Sequence, residues 1–377
     1  MVRVCGEDGP DASPQTLPYS KEPATRQVAR WRAPRLQGHI PTSDAAINVT
    51  ASAVIQVKSG IGDVIWHLPF VRAIAAASPG GCVTFLAPPS SGAKELLAAE
   101  PSVAETLYFR HSGSELRRGL NLLQLSAQLR NRRFQQIWIL DRTIRPALAA
   151  TLAGIPERIG LGLGPQRFFI TNPGIDQRHF HDQPIDWLIA LMAAMNVPLP
   201  TTEPDLPVPP ATLEAIGERY QSQPRPWIVL GMGGSHPDKD WPDVFWLEFL
   251  AGLRRRCDGT IFLIGGRQNQ ARAQDLIDHT SGTAAINACD LALIEAVALL
   301  RLGDLFIGTD SGPMNLAVAA QTDAFALFGA TPVLKYSKFI HPIVPEGGPS
   351  PGGMKRISPT AVLEQVEPFL SRMKNLK

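Results

Sequence analysis

A short apolar strand, a glycine-bearing turn and then a helix recur along this chain, and that unit limits its fold more than any other feature. AVIQV (Ala53 to Val57) runs into KSGIGD and a helix through Leu68 to Ala77. CVTFLA (Cys82 to Ala87) reads as a second strand, AKELLAA (Ala93 to Ala99) as helix and QIWIL (Gln136 to Leu140) as a further buried strand. A second series opens with WIVLGMG (Trp227 to Gly233) and continues through FWLEFLAGLRRR, TIFLIGG (Thr260 to Gly266) and LALIEAVALLRLGDLFIGTDSG. AFALFGAT (Ala324 to Thr331) is its last clear strand. Strands alternating with helices imply βαβ units and a parallel sheet, because each helix must carry the chain back to the start of the next strand.

Prolines cluster between Pro198 and Pro226, in PLPTTEPDLPVPP above all, and predict a linker between the two series. The expected order is a disordered extension over 1–47, a first Rossmann-like domain over 48–205, a linker over 206–224 and a second Rossmann-like domain over 225–357. A terminal helix over 358–377 starts with Ser358 as N-cap and Pro359 at the first helical position. A ligand should lie in the cleft between two such domains, at the carboxyl ends of the strands.

Composition narrows the function classes. The length of 377 residues suits two domains, and the 44% apolar content suffices for a sizeable core. No long uncharged apolar run predicts a membrane span. A formal charge of +2 gives no argument for nucleic acid, so none is expected as a partner. Cys5, Cys82, Cys257 and Cys289 form no CxxC pair, which excludes a zinc module and fits a reducing cytoplasm. His179 and His181 have no acidic or thiol residues repeating around them, so no metal is expected. Glu7, Asp8 and Asp11 stand where a signal peptide needs an apolar stretch. Further on, Lys21, Arg26, Arg30, Arg32 and Arg35 surround Trp31, a cluster that could touch an anionic inner-membrane face; a solvated tail is the alternative.

The turns after the strands carry the chemistry. In KSGIGDVIWHLP, Gly60 and Gly62 turn the backbone into a helix and Asp63 falls near its N-terminus. The helix dipole favours a carboxylate there, suited to take a proton from a hydroxyl nucleophile, and equally suited to cap the helix. In GMGGSHPDKDWP, Gly233, Gly234 and Ser235 offer amides and a hydroxyl, and Lys239 a point charge. Together they describe an anion cradle for a pyrophosphate, without the order of a P-loop; a polar surface loop is the alternative. In GTDSGPMNLAVAAQ, Ser311 and Gly312 could hold the other side of a diphosphate. Asp310 should take a sugar hydroxyl or orient Lys239 by charge pairing. Gly265, Gly266 and Arg267 end the adjacent strand and could flank a nucleoside. His67 reads as a satisfied core histidine, and no GxSxG or GxGxxG pattern points to a hydrolase triad or a dehydrogenase.

In order and spacing, GDVIWHLP, ILDRTIRPALAA with RIG, GMGGSHPDKDWP and TDSGPMNLAVA resemble the signatures of the glycosyltransferase family 9 heptosyltransferases, over roughly residues 52–372. The resemblance implies an α/β GT-B fold, two Rossmann-like domains with parallel sheets facing across a cleft. It implies inverting, metal-independent transfer of a heptose or similar sugar from a nucleotide-diphospho-sugar such as ADP-heptose, with no cofactor. The implied acceptor is a phosphorylated lipid-linked saccharide of a lipopolysaccharide core or related surface glycan. Asp63 becomes the base. Lys239 neutralises the departing diphosphate beside Ser235, and Asp310, Ser311, Gly312 and Asn315 meet the donor. Gly62, Arg142 and Arg145 fall on the acceptor side, within a region made basic by Arg110, Arg117, Arg118, Arg130, Arg132 and Arg133.

Two positions depart from the family pattern. Its members commonly carry His three positions after the glycine of the later donor turn, where this chain has Asn315. Their acidic nucleoside contact is replaced here by Arg267 or Gln268. A sugar-nucleotide epimerase or hydrolase, with His236 as its added acid–base group, and a non-catalytic nucleotide-binding module are the alternatives.

Overall fold

The computed structural model describes residues 51–234, 236–280 and 285–375, all within one compact unit. Its first lobe runs β1 (Ser52–Ile55), α1 (Ile61–Ala77), β2 (Val83–Ala87), α2 (Ala93–Leu96), β3 (Val103–Tyr108), α3 (Glu115–Arg132), β4 (Gln136–Ile139), α4 (Ile144–Ala153), β5 (Glu157–Gly160) and α5 (Pro184–Ala194). The second lobe begins with α6 (Pro210–Tyr220), β6 (Trp227–Gly231), α7 (Asp243–Arg254), β7 (Thr260–Ile264), α8 (Gln270–Asp278) and β8 (Ala285–Asn287). It is completed by α9 (Leu293–Leu302), β9 (Leu305–Thr309), α10 (Gly312–Ala319), β10 (Ala324–Leu327), β11 (Ile340–Ile343) and α11 (Pro359–Asn375). The sheets have strand orders β3-β2-β1-β4-β5 and β11-β10-β9-β6-β7-β8, and every pairing is parallel.

Both faces of each sheet are covered, so the inner strands are mostly apolar and successive side chains enter different cores. Ala53, Ile55, Ile137 and Ile139 point to a core under α3 and α4, whereas Val54 and Trp138 point the other way. In the second sheet, Ile228 and Leu230 join Trp241, Trp246 and the α11 residues Val362, Val366 and Leu370. Trp227 and Val229 point the other way, into a core that continues into the first lobe. The core between the lobes is continuous: it includes Ile65 and Leu68 of α1, Leu188 and Leu191 of α5, Leu299 of α9 and Leu316 of α10. Packing of α1 on α10 sets one lobe against the other.

The proline-rich stretch differs from an open linker. Pro209 and Pro210 start α6, since proline at the first helical position sacrifices no intrahelical hydrogen bond. Ile216 and Tyr220 are buried, and the Tyr220 ring packs edge-on against Trp227 and Phe262. Before it, Leu206 is buried and Arg301 donates to Asp205 at 2.6 Å. At the other end Ser358 caps α11, its hydroxyl accepting from Ala361 at 3.2 Å. No helix among the described residues is long and apolar enough to cross a membrane.

Candidate active site

Strand order reverses beside β1 in the first sheet and beside β6 in the second, and the turns leaving these strands bound one cavity of about 870 Å³. Asp63, Gly62, Gly233, Gly234, Lys239, Gly266, Asp310, Ser311, Gly312 and Asn315 all line it. Residues far apart in sequence are thereby collected by topology alone.

The first wall is the start of α1. Asp63 Oδ2 accepts the Gly60 N–H at 3.2 Å, and Lys58 Nζ lies 3.8 Å from Oδ1. Capping and facing the cavity are therefore compatible here, because one carboxylate carries more acceptor positions than the cap uses. Opposite it, α10 begins at Ser311 and Gly312. Two helix N-termini, one from each lobe, thus open on the same space, with first-turn amides that no helical carbonyl can satisfy.

Lys239 supplies the full positive charge. Its Nζ sits 2.7 Å from Asp310 Oδ2, an oxygen that also accepts from the Thr331 hydroxyl at 2.6 Å. Asp310 is buried, so this pairing holds the ammonium in place, one of the two roles its position suggested. Gly233 adopts φ +75, the left-handed region that favours glycine, and a Cβ there would lie 2.6 Å from Asn269 Nδ2.

Asn315 is buried and its amide is engaged on both sides: Oδ1 accepts the Trp66 indole N–H at 2.7 Å and Nδ2 donates to the Ser311 carbonyl at 2.8 Å. It ties α1 to α10 at the cavity floor. A Cβ on Gly62 would come within 2.5 Å of Nδ2, which is why the chain is bare there.

Several lining residues were not among the sequence candidates. Trp66 packs edge-on to Tyr336 with ring centroids 6.3 Å apart, and the Tyr336 hydroxyl donates to Asp186 at 3.0 Å. Burial, then the Asp186 hydrogen bond, push the Tyr336 phenol up to about 12. Gln268, Asn269, Gln183 and Lys335 complete the rim. Gln268 and Asn269 follow the turn after β7 that Gly265, Gly266 and Arg267 already mark, and the loop after β10 obeys the same strand–turn rule and could have been searched on that ground. Asp186 and Gln183 carry no such signal.

Other candidates fall elsewhere. Gly265 lies outside the lining, against Asn269, and Ser235 lies outside the described residues, as does the cluster around Trp31. His236 is not in the lining either; its Nδ1 accepts from the Asp238 amide. Arg142 stacks over the rings of Phe180 and Trp187 at 5.1 and 5.2 Å. Arg145 lines a separate first-lobe cavity of about 370 Å³ with Arg110, His111, Arg118 and an apolar wall that includes Phe109, Leu122 and Ile144. Arg132 pairs with Glu105 and Arg118 with Glu115, so part of the basic region is neutralised locally. Burial lowers the His111 imidazole.

Below this cavity, Asp141 accepts the amides of Val57 at 3.2 Å and Thr143 at 2.7 Å, tying the β1 turn to the β4 turn. Burial raises its carboxyl despite those bonds and lowers the fully enclosed His67, whose Nδ1 meets the Asp63 carbonyl. Among the described residues no group of three or more His, Cys, Asp or Glu is placed to hold a metal ion.

The family model described as glycosyltransferase family 9 (heptosyltransferase) matches residues 122–343. Lipopolysaccharide heptosyltransferase 2 of Salmonella typhimurium is 24% identical over 341 residues, 83% of this chain and 97% of that protein. Among solved structures, the Escherichia coli ADP-heptose lps heptosyltransferase II superposes with TM-score 0.70 at 23% identity, over 86% of this chain and 99% of the other. The E. coli heptosyltransferase WaaC with ADP superposes with TM-score 0.63 at 16% identity, over 85% and 99%. The two facing parallel-sheet lobes are thus a GT-B fold, as expected. With a family model covering more than half its length, the chain belongs to glycosyltransferase family 9 and is a glycosyltransferase.

Proposed function

We propose that this enzyme transfers a sugar from a nucleoside-diphosphate donor, bound in the 870 Å³ cleft, to a hydroxyl of a phosphorylated glycolipid acceptor on the first lobe. The observation that carries this reading is the convergence of two helix N-termini and Lys239 opposite the Asp63 carboxylate. The amides and the ammonium suit a diphosphate, whose negative charge grows as it leaves. Asp63, from the other lobe, suits the proton of the incoming hydroxyl.

The reaction on this reading is a single displacement. The acceptor oxygen attacks the anomeric carbon, the bond from that carbon to the diphosphate oxygen breaks, and its electron pair leaves with the nucleoside diphosphate. The hydroxyl proton passes to Asp63. Attack opposite the leaving group inverts the anomeric centre. Lys239, held by Asp310, and the amides of α1 and α10 balance the developing charge, so the scheme uses no metal ion. The likeness to proteins named as lipopolysaccharide heptosyltransferases supports ADP-heptose as donor and a lipopolysaccharide core as acceptor. The cavity around Arg110, Arg118 and Arg145 suits an acceptor phosphate, while Arg142 acts by stacking.

Release of ADP from ADP-heptose, measured with and without a heptose-deficient lipopolysaccharide core and in the presence of chelator, tests the reading. Acceptor-dependent release with formation of a heptosylated product supports it. Turnover of the donor alone to an epimer, or binding without turnover, would overturn it.

A further inference from the structure

The outer face of α3 has the composition of a buried surface. Leu116, Leu120 and Leu123 are 77%, 51% and 61% exposed, whereas Leu125 and Leu129 of the same helix are buried in the core. The exposed three recur at i, i+4 and i+7, so they form one stripe on the side turned away from the sheet. Of the ten strongly exposed large apolar side chains among the described residues, eight belong to the first lobe. Leu152 at the end of α4 is 42% exposed, and its carbonyl oxygen accepts from Arg130 of α3.

The charge around the stripe selects the occupant. Glu115 is the single acid on α3, and it is paired with Arg118. Arg132 is paired with Glu105. Among the described residues, Arg110, Arg117, Arg130 and Arg133 have no carboxylate within 4.0 Å. A leucine stripe flanked by unneutralised arginines matches the boundary of an anionic bilayer, where the apolar groups enter the acyl edge and the guanidinium groups meet phosphates. A second protein surface would instead leave those arginines to be desolvated unless it supplied matching acids.

We propose that the outer face of α3, with Leu116, Leu120 and Leu123 inserted and Arg117 and Arg130 beside them, docks this enzyme on an anionic lipid bilayer. The inner side of the same helix supplies Leu122, Leu125 and Arg118 to the first-lobe cavity, so docking would present that cavity near the lipid surface. The proposal stands apart from the transfer reaction, since lipid binding is measured without donor or acceptor.

Cosedimentation of the full chain with phosphatidylcholine vesicles, with and without phosphatidylglycerol, is the test. Binding should require the anionic lipid and weaken with salt. The triple variant L116S/L120S/L123S should bind at least about tenfold more weakly, and R117E should also lose roughly tenfold, with unchanged thermal midpoints. Absence of wild-type binding to anionic vesicles would overturn the proposal. So would undiminished binding by the triple serine variant, whether or not it abolished self-association of the protein.

Discussion

The Trp66 indole N–H donates to Asn315 Oδ1 at 2.7 Å, joining two residues 249 positions apart at the floor of the cleft between the lobes. A position that family resemblance assigned to the donor is, in this chain, a buried strut between α1 and α10. Asn315→Ala should leave the indole donor unpaired and cost about 1–3 kcal/mol of stability. Urea unfolding of N315A, W66F and the double variant gives the coupling, expected at about 0.5–3 kcal/mol. Strict additivity of the two changes would show that the bond holds nothing.

The Lys239–Asp310 pair separates charge from position. Lys239→Met removes the charge opposite the leaving diphosphate and should lower kcat/KM by about 10²–10³. Asp310→Asn leaves the ammonium but frees it, and a smaller loss, about tenfold, is expected in the same steady-state assay. Equal losses in both variants would mean that Asp310 has a role of its own on the substrate.

His67 makes stability depend on pH. Burial holds its folded-state pKa below the ordinary 6.5, so above pH 6.5 both states are neutral there and nothing is lost. As pH falls from 6.5 towards the lowered folded value, the unfolded chain gains a proton that the folded one does not, and stability drops. A thermal-midpoint series from pH 8 to pH 5 on wild type and His67→Gln should show a shallower acid slope in the variant. Identical slopes would place the acid sensitivity elsewhere.

Much of this architecture was legible in local sequence. Short apolar runs marked β1, β2, β4, β6, β7, β9 and β10, and the turns after β1, β6, β7, β9 and β10 bound the cleft because parallel βαβ units place such turns at one edge. What escaped lacked that signature. In β3 the run Val-Ala-Glu-Thr-Leu-Tyr at the edge of its sheet is only partly buried, so its residues need not be apolar. The helix α6 was hidden by the prolines that begin it. Asp186 and Tyr336 meet through a hydrogen bond across 150 residues, a pairing that only the packed lobes create. Asn315 was found, but its partner was not, since nothing local tells a lining amide from a strut.

On the proposed mechanism Asp63 takes the acceptor proton while the second lobe holds the donor. The most direct measurement pairs ADP-heptose affinity, by calorimetry, with the single-turnover transfer rate for wild type and Asp63→Asn. The predicted result is a donor affinity within about threefold of wild type and a transfer rate lowered by about 10²–10⁴. Transfer at the wild-type rate would exclude that role for Asp63, and so would a parallel loss of donor binding, which would make Asp63 no more than the cap of α1.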